Sequence, residues 1–82
     1  AVSTAIPGLP SDIRLKENIV RTGTSDSGIP IYTFNYKNNN QSWSGTMAQD
    51  LINMGRQDAV TVMNNGYYAV YYDMIDVDMI KN

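Results

Sequence analysis

The chain has no cysteine and no histidine. The first absence excludes disulfides and thiolate metal sites, and the second removes the usual general base and the commonest zinc ligand. Any catalysis must come from Ser, Lys, Asp, Glu or Tyr. Charge is sparse as well: 6 Lys and Arg against 8 Asp and Glu leave a net charge of −2, with no basic patch to hold duplex nucleic acid. No apolar run reaches the length of a membrane span or forms a secretory h-region, so membrane insertion is not expected. The 82 residues make one domain at most. A chain of this size buries only about 60 to 65 per cent of its unfolded surface, so its core is marginal and support from a partner chain is expected.

What is present reads as an arm followed by a small α+β domain, with antiparallel β-hairpins around one short helix. Residues 1–10 carry no charged side chain, and Pro7 and Pro10 bias Ile6 and Leu9 towards extended backbone. Val2, Ile6 and Leu9 lack a periodic partner, which predicts an arm that either frays or lies in a groove on another chain. The domain then runs over 11–82. Ser11 or Asp12 suits a helix cap, with a single turn through Leu15 and Lys16. Ile19 and Val20 begin a strand, residues 24–28 are a turn cluster, and 29–37 alternate so that Tyr32, Phe34 and Tyr36 share a face. Together these predict a hairpin, with Pro30 at the start of its second strand.

Residues 38–42 read as a polar loop leading to a short strand at 43–45. Thr46 and Gln49 form a capping-box pattern, Met47, Leu51 and Met54 make a helical stripe, and Gly55 stands at the C′ position. Asn64-Asn65-Gly66 between β-rich runs predicts a second hairpin over 59–63 and 67–72. Its second strand is crowded with Tyr67, Tyr68, Tyr71 and Tyr72 on both faces. A strand apolar on both sides needs cover on both sides, and a neighbouring subunit is the expected source of the second. Tyr67, Tyr68, Tyr71, Tyr72, Met74 and Ile75 are therefore the candidate subunit interface. Residues 73–80 fit either helical turns or a strand. The methionines read as core filler.

Ser11-Asp12-Ile13-Arg14-Leu15-Lys16-Glu17-Asn18-Ile19 resembles the opening motif of the chaperone-of-endosialidase family, the self-cleaving C-terminal modules of phage tail spikes and fibres, also classed as S74 peptidases. Three further blocks follow in the family's order: an aromatic strand ending in Tyr36-Lys37, the segment Gly45-Thr46-Met47-Ala48-Gln49-Asp50, and Asp58-Ala59-Val60 followed by Gly66-Tyr67-Tyr68. The resemblance covers about 11–80. It implies a homotrimer, a location in a phage virion made in the host cytoplasm, and a Ser-Lys dyad of Ser11 and Lys16 that cuts the chain beside the serine. Two departures bear on the chaperone role. The long helical extension of larger members does not follow Asp73 here, and only residues 1–10 precede Ser11, so a cut would free a peptide rather than a spike. An N-terminal alanine is compatible with a chain that has lost its initiator methionine.

From the residues alone, Ser11 needs a base, and without histidine that base is neutral Lys16. Holding a lysine neutral at pH 7 costs roughly 4 to 5 kcal/mol unless its surroundings lower its pKa. Asp12 and Glu17 push the wrong way and Arg14 the right way. The plainer alternative is a solvated or salt-bridged Lys16 and a capping Ser11. Asp73, Asp76 and Asp78 lack the glycine and ligand count of a calcium loop and read as solvated carboxylates, so no metal or cofactor is expected.

The leading expectation is a structural, trimerising module of a tail fibre, spike or attached tail component, meeting other virion proteins through its arm. The alternatives are a self-cleaving chaperone and a fibre tip that binds a host-surface glycan through Trp43, the tyrosines and the 38–42 loop. The isolated chain is expected to stay whole, because the ring of Pro10 restricts approach to its carbonyl and assembly is expected to impose the dyad geometry.

Overall fold

The computed structural model describes residues 8–82. They form an α+β domain of seven antiparallel strands in two sheets with one short helix. Strand β1 is Leu9–Pro10, followed by a 3-10 turn at Ile13–Leu15 that Asp12, not Ser11, caps. The long hairpin follows as β2 (Lys16–Thr24) and β3 (Pro30–Tyr36), with Pro30 opening its strand as its missing N–H requires. Gly28, at φ +92°, closes the turn between them. Next come β4 (Ser42–Gly45) and the helix α1 (Ala48–Asn53). The second hairpin is β5 (Val60–Val62) and β6 (Tyr68–Val70), turning through Gly66 at φ +86°. A 3-10 turn at Tyr72–Met74 and a final strand β7 (Ile80–Lys81) settle the ambiguity of the last segment: it is one turn and then a strand.

The sheets are ordered β1-β6-β5 and β2-β3-β4-β7. One core joins them. Ala48 and Leu51 of α1 pack with Ile29, Ala59, Val70 and Val77, and Ile31, Val60, Tyr68, Tyr72 and Ile75 lie against that cluster. The β2/β3 ladder carries a bulge between Glu17 and Val20, where Asn18 takes φ +54°. Asparagine tolerates that left-handed conformation better than most residues, and here its Nδ2 donates across the ladder to Asn35 Oδ1 at 2.7 Å. Lys16, at the head of β2 before the bulge, is buried while most of β2 is exposed.

Several expectations need correction. Thr46 and Gln49 do not form a capping box: α1 has Met47 as its N-cap residue with no side-chain cap bond. Thr46 Oγ1 instead donates to the Pro30 carbonyl at 2.9 Å, and Gln49 reaches Asp12. Among the methionines only Met47 is buried, while Met54 and Met74 are exposed. In β6, Ala69 and Val70 are buried within the chain and β1 and β5 pair with its two edges, while Tyr68 is half-buried. Where the arm is described, Leu9 pairs with Val70 and Pro10 with Ala69, and Leu9 keeps an exposed face. Val2 and Ile6 lie outside the described residues.

Candidate functional site

The segment that carries the proposed nucleophile is pinned from three sides. Ser11 N–H donates to Tyr68 O at 3.1 Å, and Ser11 O accepts from Ala48 N–H at 2.8 Å, so β6 and the start of α1 fix its backbone. The Asp12 carboxylate, fully buried, accepts from Arg14 N (2.9 Å), Arg14 Nε (3.0 Å), Arg14 Nη2 (2.7 Å), Gln49 Nε2 (2.7 Å) and Tyr68 N (3.0 Å). The Arg14 fork first, then backbone and amide donors, hold Asp12 well below the usual carboxylate range against the cost of its burial. Arg14 also lies over the Tyr67 ring, 4.9 Å from its centroid.

Within this frame Lys16 meets Ser11. Lys16 is only 3% exposed and Ser11 is closed to solvent. Lys16 Nζ lies 3.3 Å from Ser11 Oγ, donates to Thr46 O at 2.8 Å, and sits 3.9 Å from the centroid of the Phe34 ring. Burial pulls Lys16 down to about 7, and the charge of Asp12 opposes this only in part. Asp12 therefore does push the wrong way, and the carboxylate that does so is engaged by Arg14. Arg14 helps by that indirect route. Glu17 is turned away to accept from Asn35 Nδ2 at 3.1 Å.

Two tyrosines complete the arrangement. Tyr72 Oη is 2.7 Å from Ser11 Oγ and accepts from Thr46 N–H at 3.1 Å. Gly45 makes room for it, because a Cβ there would lie 2.8 Å from Tyr72 Oη and from Met79 Sδ. Tyr36 Oη donates to the carbonyl of Pro10 at 2.6 Å. Burial raises both phenols above their ordinary value, so both stay protonated donors at neutral pH. The Pro10–Ser11 bond is an ordinary secondary amide. The tertiary amide of the proline nitrogen lies one bond upstream, so the ring does not stand in the bond that Ser11 would attack.

The structure thus brings together Ser11, Lys16, Asp12 and Arg14, and adds Thr46, Tyr72, Tyr36 and Gln49, which sequence reasoning did not assign to the site. Tyr72 had been placed at a subunit interface. Its hydroxyl reaches Ser11 Oγ, and its ring packs on the core with Tyr68 and Ile75. Met74 is exposed and Tyr67 and Tyr71 are half-buried in the single chain. Asp76 accepts from Ser27 N (2.9 Å) and Ser27 Oγ (2.7 Å), which ties the C-terminal segment to the first hairpin turn and holds Asp76 at about 2. Among the described residues no group of acidic side chains is arranged to hold a metal ion.

The lowered Lys16 has a stability consequence. Its folded value of about 7 lies below its ordinary 10.5, so between those values the folded chain binds fewer protons than the unfolded chain. The penalty for burying the charge is fully present below the folded value and is relieved as pH rises through the window. Urea unfolding should show stability rising by about 3 kcal/mol between roughly pH 7 and pH 9.5, before tyrosines ionise in the unfolded state. In Lys16→Met that rise should vanish; an unchanged slope would mean that Lys16 is not the group responsible.

Comparison of the chain with protein-family models, with curated proteins and with solved structures finds no match.

Proposed function

We propose that this chain is a self-processing module in which Ser11, with neutral Lys16 as base, attacks the carbonyl of its own preceding residue, Pro10. The observation that carries the reading is a buried lysine pulled down to about 7 and placed 3.3 Å from a buried serine hydroxyl, all within one chain. Near neutral pH a large fraction of Lys16 is then unprotonated and can accept the Ser11 proton. Oγ forms a bond to the Pro10 carbonyl carbon through a five-membered ring. Collapse breaks the bond to Ser11 N, which takes up the proton held by Lys16. The product is an ester of Pro10 on Ser11 Oγ with a free Ser11 amine. Water then hydrolyses the ester to separate the arm from the domain.

Ser11 is fully closed to solvent. The acyl shift needs no water, but hydrolysis does, so the buried serine favours a reversible amide–ester exchange, while the exposed Pro10 leaves the ester carbonyl open to a strong added nucleophile such as hydroxylamine. The resemblance of residues 11–19 supports a structural reading beside the first: a trimeric virion module of phage-tail type, whose arm stays attached. The isolated chain should stay whole by mass, because the ester is an isomer of the amide. Hydroxylamine, which cleaves esters and spares amides, should convert the purified protein to a fragment beginning at Ser11 while Ser11→Ala stays intact. No fragment from the parent chain, or equal cleavage of both, would refute the reading. Light scattering of the same sample should give the mass of three chains; a monomer would remove the trimer from the proposal.

A further inference from the structure

The acyl shift proposed above develops negative charge on the oxygen of Pro10, and a reaction of this kind needs a donor already aimed at that oxygen. Tyr36 Oη is 2.6 Å from it in the ground state. We infer that Tyr36 is the oxyanion donor of this site, a catalytic residue that touches the reacting carbonyl; the inference rests on the self-processing reading. The fold places it there through the same ladder that places the base. Lys16 on β2 and Tyr36 on β3 are register partners, and the Phe34 ring that underlies Lys16 Nζ meets the Tyr36 ring edge-on, centroids 5.6 Å apart.

The two phenols divide the work. Tyr72 holds the nucleophile at 2.7 Å, and Tyr36 holds the electrophile at 2.6 Å. As Oγ bonds to the carbonyl carbon, the carbonyl π pair moves onto the Pro10 oxygen, where the Tyr36 O–H remains a donor without transferring its proton. On collapse the pair returns, the C–N bond breaks, and the proton on Lys16 passes to Ser11 N. The hydrogen bond from Tyr36 strengthens with the charge and relaxes with it. Preorganised donors of this type contribute more to the transition state than to the ground state, because they need no reorientation when the charge appears.

The test is Tyr36→Phe in the hydroxylamine assay, followed across pH beside the parent chain, with Ser11→Ala as the blank. The expected result is a fall in rate of about 10²-fold to 10³-fold with the midpoint of the ascending pH limb unmoved, since Lys16 sets that midpoint. An equal rate in parent and variant overturns the role of Tyr36 and leaves the dyad standing. A fall with a shifted midpoint traces the loss to a displaced Lys16 and also overturns it. No cleavage of the parent, or cleavage of Ser11→Ala, removes the dyad reading and this role together. If Tyr36→Phe does not fold, 3-fluorotyrosine at position 36 alone supplies a stronger donor of the same shape. It should keep or raise the rate, and a fall to blank level overturns the inference.

Discussion

Asp12→Ala is expected to unfold the domain at neutral pH. The carboxylate is fully buried, and it accepts from two backbone N–H groups, the Gln49 amide and the Arg14 fork. Alanine leaves the Tyr68 N–H and the other donors facing a space with no acceptor, a loss of about 3 to 5 kcal/mol for a buried, hydrogen-bonded charge. A domain of this size has little more than that in total. The Arg14 side chain is 57% exposed and can turn to water, so Arg14→Ala should cost much less than Asp12→Ala. Circular dichroism and urea unfolding decide the matter. A cooperatively folded Asp12→Ala within about 1 kcal/mol of the parent would show that the loop before β2 is held by its backbone bonds alone. The same carboxylate has a pH signature of opposite sign to that of Lys16. Its folded value lies below the ordinary 3.8, so its contribution is present above that value and fades as acid approaches the folded value.

Lys16→Met is expected to stop the chemistry while leaving a folded and, below neutral pH, more stable protein. Methionine fills much of the lysine's volume over the Phe34 ring without a buried charge, and replacing buried ionisable groups by apolar ones of similar size is often neutral or stabilising. The base is then absent. Hydroxylamine cleavage at Ser11 should fall by at least about 10³-fold, as when one member of a nucleophile–base pair is removed. This pairing of lost reactivity with kept or raised stability separates a functional lysine from a structural one. A variant that is both destabilised and uncleaved would point to a structural lysine. One that is cleaved at the parent rate would move the base elsewhere.

The parts of this account that were legible in the sequence are the local ones. Ser11 and Lys16 stand five apart across one 3-10 turn, inside the motif whose resemblance implied their pairing, so they were named before any fold was known. The two hairpins followed from alternation and from glycines at turns that demand positive φ. The two phenols were not legible as site residues, because their roles are fixed by contacts 26 and 61 residues away in the chain. Nothing local distinguishes Tyr72 from Tyr71 until the 3-10 turn after β6 aims one hydroxyl at Ser11. The helix cap failed for a related reason. Thr46 and Gln49 have the chemistry of a capping box, but the Pro30 carbonyl and Asp12 lie closer to hand and take both side chains. The pairing of Leu9 with Val70 was invisible because two residues carry no periodicity.

The central claim is that Ser11 Oγ, activated by Lys16, adds to the carbonyl of Pro10. It is tested most directly by the mass of the piece released upstream of Ser11 after hydroxylamine treatment of the folded protein at mildly alkaline pH. An ester on Ser11 passes its acyl group to the reagent, so the account predicts an arm peptide of residues 1–10 ending in a proline hydroxamate, absent from Ser11→Ala and from Lys16→Met. An arm ending in a free carboxylate, a cut at another bond, or a chain that stays intact under conditions where model seryl esters are consumed would contradict it.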